Sequence, residues 1–232
     1  MSAADEGRHA TTPDSWWSER FAFDAWTLDG TIGVTTSLTL VPNQRRAWYW
    51  AAVVGAGRPL VSLVDLDVAA PRRGLEIRAD GLWADHICEE PFVAWTVVNE
   101  GYAVTLDDPD DALGDARGVP TPIAFDLGFE DDGHRRPLGG TGWQRFTQRC
   151  AVHGGIAVGT ERITFDGLGE RRHWWGSERW WERPSATSLP AGSRAPVALI
   201  VEGRRYRLEQ VMGRDEAGEV RWGEWVQAES GP

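Results

Sequence analysis

Gly167-Leu168-Gly169-Glu170-Arg171-Arg172-His173-Trp174-Trp175-Gly176-Ser177-Glu178-Arg179-Trp180-Trp181 is the stretch on which the reading of this chain turns. It holds four tryptophans, three arginines, a histidine and two glutamates in fifteen residues, bracketed by glycines that permit sharp turns. If residues 170–175 are extended, side chains alternate across the strand. Arg171, His173 and Trp175 then share one face, and Arg172 and Trp174 share the other. Two readings fit this composition. The indoles fill a core while the arginines stack on them or pair with acids, or they wall a ligand cavity in which Arg and His orient something polar.

Working outward, short apolar or alternating runs separated by Gly, Pro and Asp clusters predict an antiparallel β protein. Upstream strands are expected at 20–28, 33–41, 47–54, 59–66, 74–79, 81–87, 91–98, 101–106, 121–130, 141–149 and 151–165, with Gly154-Gly155 and Asp166-Gly167 as turns. Trp48 and Trp50 share a face opposite Tyr49. Trp83, Asp85 and Ile87 oppose His86, Glu89 and Glu90 follow at a turn, and Trp95 is central in the next run. Residues 121–130 place Ile123, Phe125, Leu127 and Phe129 on one side and Asp126 and Glu130 on the other. Downstream, residues 183–195 read as a connecting loop, and three final strands are expected at 197–202, 204–211 and 219–227 around a turn at 215–218. The acidic segment 107–119 lacks the ligand spacing of an EF-hand and reads as a solvated loop. No helical period and no short repeat is present.

Composition narrows the functions. A formal net charge of −11 argues against nucleic acid and anionic membrane as partners and favours a neutral or apolar one. All 24 cationic side chains are arginine, and a chain without lysine has no Schiff base, pyridoxal linkage or P-loop. Cys88 and Cys150 lack the spacing of a zinc ribbon or redox dithiol and are expected as buried free thiols. Residues 1–14, polar and without an apolar run, are expected to be disordered, and to be neither a secretory signal nor a membrane anchor, which places the protein in the cytoplasm. His9 and His134 are expected in solvent and His153 at a turn. No set of histidines and carboxylates has metal-ligand spacing, so neither a metal nor a cofactor is expected.

Four motifs in order carry a family resemblance: Pro42-Asn43 after an alternating strand, Glu90-Pro91-Phe92 followed by Trp95, the run from Pro122 through Glu130, and the Gly-x-Gly-x-Arg-x-His-x-Trp-Gly of residues 167–176. In these the chain resembles the AttH-like and carotenoid-hydratase (hydroxyneurosporene synthase) family from about Trp16 to Trp181. The resemblance implies an all-β, antiparallel, lipocalin-like barrel, usually two in tandem, around an apolar cavity. It also implies relatives that hydrate isoprenoid double bonds and lipocalin-like cyclases that perform [4+2] cycloadditions. The family commonly has an aspartate, its natural proton donor, where this chain has Arg172. About fifty residues follow Trp181, too few for a complete second barrel, so a shortened or merged one is expected at 167–232, packed on a first domain at 15–166.

The function expected from this resemblance is a cofactor-independent cyclase that folds a polyene or polyketide for Diels-Alder-type ring closure, a reaction of natural-product biosynthesis. Its alternatives are an acid-catalysed isoprenoid hydratase or cyclase and a non-catalytic carrier of an apolar ligand. Trp48, Trp50, Trp83, Trp95, Trp174 and Trp175 are candidate walls, with His86, Glu130 and Arg179 as further binding residues. Arg145, Arg171 and His173 are candidate polar orienters, and Glu90 and Asp126 candidate acids. The expected partner is an apolar small molecule, met by a monomer or homodimer.

Overall fold

Alternating side chains need two environments, and this chain supplies them by closing one sheet and covering part of its outside with another. The computed structural model describes residues 1–182 and 191–229, so residues 183–190 of the expected loop lie outside the described residues. The strands are β1 (Ser18–Thr27), β2 (Ile32–Val41), β3 (Arg46–Gly55), β4 (Leu60–Ala69), β5 (Ile77–Ala79), β6 (Leu82–Glu90), β7 (Ala94–Leu106), β8 (Val119–Gly140), β9 (Trp143–Val158), β10 (Glu161–Gly176), β11 (Gly192–Val201), β12 (Arg204–Arg214) and β13 (Val220–Ala228). The only helices among the described residues are short 3₁₀ turns.

The first ten strands form one antiparallel sheet in the order β4-β3-β2-β1-β10-β9-β8-β7-β6-β5, and the remaining three form a second in the order β11-β12-β13. The first sheet closes on itself where Leu60, Val61 and Ser62 of β4 pair with Leu106, Thr105 and Val104 of β7. The result is a lipocalin-like barrel in which closure removes the exposed strand edges. β6 pairs along the first part of β7, and the short β5 pairs with β6 to complete that wall.

Phe21, Phe23, Tyr49, Trp95, Val97, Phe125, Leu127, Phe129, Val152 and Phe165 fill the barrel. The outward residues of β1, β2, β3 and β10 are buried as well, which makes β1 and β2 buried at nearly every position. Against them pack Val197, Leu199, Val201, Tyr206, Leu208 and Val226 of the second sheet. Each fully buried large apolar side chain in such a layer stabilises the fold by about 1.5–3 kcal/mol.

Four expectations are corrected. Asp166-Gly167 and Gly154-Gly155 are not turns but lie inside β10 and β9. Gly154, at φ 145°, would place a Cβ 2.0 Å from the Asp126 carbonyl oxygen, and a Cβ at Gly169 would meet Val152 and Phe129 inside the barrel at 2.6 and 2.9 Å. These glycines permit close approach rather than reversal. Residues 94–98 and 101–106 belong to one strand, β7, with 91–93 in the turn before it, because Asn99 between them points inward and accepts a hydrogen bond from the Tyr49 hydroxyl at 2.8 Å. β8 continues ten residues past Glu130 as a hairpin with β9, in a stretch too exposed to alternate. The N-terminal segment is not disordered: residues 3–6 form a 3₁₀ turn, and Glu6 is buried in the barrel mouth.

Other expectations hold. Trp48 and Trp50 face one core and Tyr49 the other. His86 is inward while Trp83, Asp85 and Ile87 face out, and both cysteines are free thiols, though Cys88 is only half-buried.

Candidate functional site

β1 and β10 lie side by side, with Arg20 opposite Trp174, Ala22 opposite Arg172 and Asp24 opposite Glu170. The faces of this pair that point away from the barrel interior meet the second sheet, and four charged groups are enclosed there. Arg20 donates to both oxygens of Glu224, from Nη1 to Oε1 at 2.9 Å and from Nη2 to Oε2 at 2.6 Å, and donates from Nε to the Ser37 hydroxyl at 2.8 Å. Arg172 makes a short contact with Asp24 Oδ2 and lies 3.6 Å from Glu224 Oε2. The Thr35 hydroxyl donates to Asp24 Oδ1 at 2.6 Å and sits 2.8 Å from Gln210 Oε1. Two guanidiniums thus balance two carboxylates, with Asp24 and Arg20 buried and Arg172 and Glu224 half-buried at the edge, which satisfies the requirement that buried charge be paired.

Burial raises the Asp24 carboxyl to about 6 against the pull of Arg172. Glu224 goes the other way: burial raises it, but Arg20 and Arg172 together outweigh that and hold it well below the carboxylate range. Neighbouring carboxylates driven apart in this way are a common arrangement where proton chemistry is performed.

Tryptophans surround the pairs. The Arg20 guanidinium lies 4.2 Å from the Trp180 ring centroid and 5.1 Å from that of Trp50. Trp181 packs edge-on against Trp48 and Trp180 at 5.1 and 5.6 Å, and Trp16 closes the group. The indole N–H groups of Trp50, Trp180 and Trp181, the Thr39 hydroxyl and Arg172 Nε are buried with no hydrogen-bond partner among the described residues. An unpaired buried donor costs about 1–3 kcal/mol.

The inward faces of the same strands build a second polar centre at the barrel mouth. Arg171 donates to Glu6 Oε1 at 2.6 Å and to Gln148, with its guanidinium 5.4 Å from the Trp95 centroid and 5.0 Å from that of Phe146. Trp95 Nε1 donates to Glu6 Oε2 at 2.7 Å. His173 stacks on Phe21, and His9, which was expected in solvent, stacks on Trp175 at 3.9 Å and contacts Glu19.

The nominated residues therefore occupy separate places. Trp48, Trp50 and Trp174 lie between the layers, while Trp95, Arg171, His173 and Trp175 are at the mouth. Arg179 pairs with Glu182 and Glu202 at the edge of the tryptophan cluster. Glu90, Asp126, Glu130 and Arg145 are exposed. The three acids among them therefore do not meet the requirement for a buried proton donor, because they sit on the solvent side of their strands. Trp83 and Asp126 border an open cleft of about 540 Å³ that also meets Glu100 and Arg162. His153 is an exposed strand residue rather than a turn, and Asp110 of the acidic loop is not merely solvated but pairs with Arg194 and Arg207 of the second sheet.

Asp24, Arg20 and Glu224 were not singled out from the sequence. One signal was present: Asp24 interrupts Phe21-Ala22-Phe23-Asp24-Ala25-Trp26, an apolar strand with no surface to offer a carboxylate.

His86 is buried deep in the barrel, edge-on to Phe23 at 5.0 Å, and neither ring nitrogen has a partner among the described residues. Burial lowers its pKa from 6.5 to about 3. Between those values the unfolded chain takes up a proton that the folded one refuses, so stability falls as pH falls through that window. Each unit is worth about 1.4 kcal/mol. Relative to H86F, the wild-type protein is expected to lose about 2 kcal/mol between pH 7 and pH 5 in urea unfolding. Parallel pH profiles for the two proteins would show that His86 is not held neutral.

The model of a family described as a domain of unknown function, DUF7064, matches residues 2–195. The chain belongs to the DUF7064 family. No curated protein matches it. Among solved structures it is similar to a Nitrosomonas europaea protein described as an AttH candidate, at 13% identity over 94% of this chain and 70% of that one, with a TM-score of 0.45. It is also similar to CghA bound to Sch210972, at 10% identity over 96% and 64% with a TM-score of 0.44, and to a further CghA structure with a TM-score of 0.43. The chain spans just under two thirds of the length of the CghA chains. No helix among the described residues is long and apolar enough to cross a membrane.

Proposed function

We propose that this chain binds an apolar small molecule bearing a carbonyl or enol oxygen between its barrel and its second sheet, and closes a ring in it without a cofactor. The observation that carries the reading is the set of buried donors without acceptors among the described residues, Trp50, Trp180 and Trp181 Nε1 and Thr39 Oγ1, in a layer that also holds Arg20 and Arg172. Indole faces shape such a site for a conjugated chain. The donors would pull electron density toward a substrate oxygen in a dry setting, where such interactions are strongest.

For a polyene or polyketide, a [4+2] closure forms two carbon–carbon σ bonds, consumes two π bonds and moves no proton. The protein's task is then to hold diene and dienophile in a folded near-attack shape, which can remove about 7–11 kcal/mol of the barrier. Arg172, where the resembled family commonly has an acid, is paired with Asp24 and serves to polarise rather than protonate.

Incubation with linear polyene ketones and esters, followed by chromatography and mass spectrometry, should give a product isomeric with its substrate, with W50F and W180F variants slower. Tryptophan quenching without any product would leave a carrier, and the absence of both binding and turnover would remove the proposal. A second reading rests on Asp24, whose carboxyl, raised to about 6, would serve an acid-catalysed addition of water. A product heavier by one water, lost in D24N, would favour it.

A further inference from the structure

We propose that His9, Glu19 and His173 form a binding site for one divalent transition-metal ion at the barrel mouth. This site faces the barrel interior and does not depend on the reading given for the interlayer site.

Three elements bring the ligands together: the N-terminal segment supplies His9, β1 supplies Glu19 and β10 supplies His173. Their ligand atoms all lie within 4.8 Å of one another. His9 Nδ1 is 2.7 Å, and His173 Nε2 2.9 Å, from the same Glu19 oxygen, Oε1. Glu19 and His173 are each 1% exposed, and His9 19%.

A hydrogen-bond inventory shows that a proton or a cation must lie between two acceptors. His173 Nδ1 lies 2.9 Å from the Asp5 carbonyl oxygen, which can only accept, so Nδ1 carries the ring proton. The lone pair of a neutral ring is then on Nε2 and faces a carboxylate oxygen that also only accepts. The same oxygen already faces the His9 ring, and the His9 backbone N–H reaches both Glu19 oxygens at 3.2 and 3.1 Å. His173 holds a second proton, or Glu19 is a neutral acid that donates to Nε2, or a cation lies between the three side chains.

The surroundings favour the cation. Metal-bound histidines donate their other ring N–H to a carbonyl or carboxylate, which fixes tautomer and ring orientation. His173 does so to the Asp5 carbonyl, and His9 turns Nε2 toward Asp5 Oδ1 at 3.7 Å, with no closer partner among the described residues. The rings are also held by stacking, His9 on Trp175 at 3.9 Å and His173 on Phe21 at 4.0 Å. Two imidazoles and one carboxylate suit zinc and its first-row neighbours rather than magnesium or calcium. Zn–N distances of 2.0–2.1 Å imply tetrahedral ligand separations of about 3.3 Å. Glu19 Oε1 therefore needs to retreat by about 0.6 Å from the His9 ring and about 0.4 Å from the His173 ring, and the ligand atoms, all within 4.8 Å of one another, need to settle at that common separation.

Full-length protein stripped with chelator and dialysed is titrated with Zn²⁺ and Co²⁺. The expected result is one equivalent bound per chain by elemental analysis, visible Co²⁺ absorption bands, and a rise in Tm that chelator reverses. H9A, which alters a partly exposed residue outside the strands, should keep the fold and lose the bound ion, as should E19Q where it folds. Absence of saturable uptake overturns the proposal, in favour of an imidazolium where NMR spectra of the metal-free protein show both His173 nitrogens protonated and of a neutral Glu19 acid where they show one. Uptake that is undiminished in H9A overturns it as well.

Discussion

Replacing Arg172 by methionine should destabilise the protein by about 3–5 kcal/mol, because it leaves the Asp24 carboxylate enclosed without its cation. Asp24 is 1% exposed at its side chain, and its other contact, the Thr35 hydroxyl, carries no charge. Glu224 would retain Arg20, so the loss centres on Asp24. Urea unfolding followed by tryptophan fluorescence measures it, and the double variant D24N/R172M should recover a good part. The pH dependence supplies a second readout. A carboxyl raised to about 6 in the folded state contributes stability below its unfolded value of 3.8, and that contribution is lost as pH rises through the folded value. Without Arg172 the folded value climbs further, so R172M should keep losing stability above pH 6, where the wild-type contribution has levelled off. A variant within 1 kcal/mol of wild type at pH 7 would show that Asp24 does not depend on this pair.

Arg171 to methionine should have an effect of similar size but a different form. It removes the cation from Glu6, leaving the neutral donors Trp95 Nε1 and the Cys88 thiol on that carboxylate. Unlike Asp24, Glu6 sits on a segment outside the strands and can return to water, so the expected outcome is release of residues 1–9 rather than collapse of the barrel. If about 3 kcal/mol of the segment's attachment is lost, the open form becomes more than about a hundred times as populated. Cleavage by trypsin after Arg8 should accelerate by the same factor, since proteolysis follows the open population when reclosing is fast. E6Q should accelerate it less, because a neutral amide tolerates burial better than an unpaired carboxylate. Equal cleavage rates in wild type and R171M would remove the ion pair from any role in holding the segment.

Much of the fold was legible because strand period is a local property. The inward set Ile123, Phe125, Leu127 and Phe129, the opposition of His86 to Trp83, and the two faces of residues 170–175 all follow from alternation alone. The glycines misled, since one residue type serves both a reversal and a close approach. What meets Gly154 is the Asp126 carbonyl from a strand distant in sequence. Tryptophan composition could not say which side of the sheet was the barrel interior. Trp48, Trp50 and Trp174 turned out to lie under the second sheet, a partner whose seating depends on long-range packing. The N-terminal segment was misjudged because its anchors, Glu6 and His9, bind residues more than 150 positions away in β10 as well as Glu19 nearby. No local pattern encodes such a contact.

Because β1 and the second half of β10 are covered on both sides, their pairing register works as a sorting code. As paired, Arg171 and His173 open on the mouth, and Arg172 and Asp24 on the layer between sheets. Insertion or deletion of one residue between Gly169 and Arg171 would send each group to the other compartment, presenting Arg172 to Glu6 and Arg171 to Asp24. The histidine would leave Glu19 and meet the indoles. A length change that a surface strand absorbs would here exchange the contents of two chambers at once.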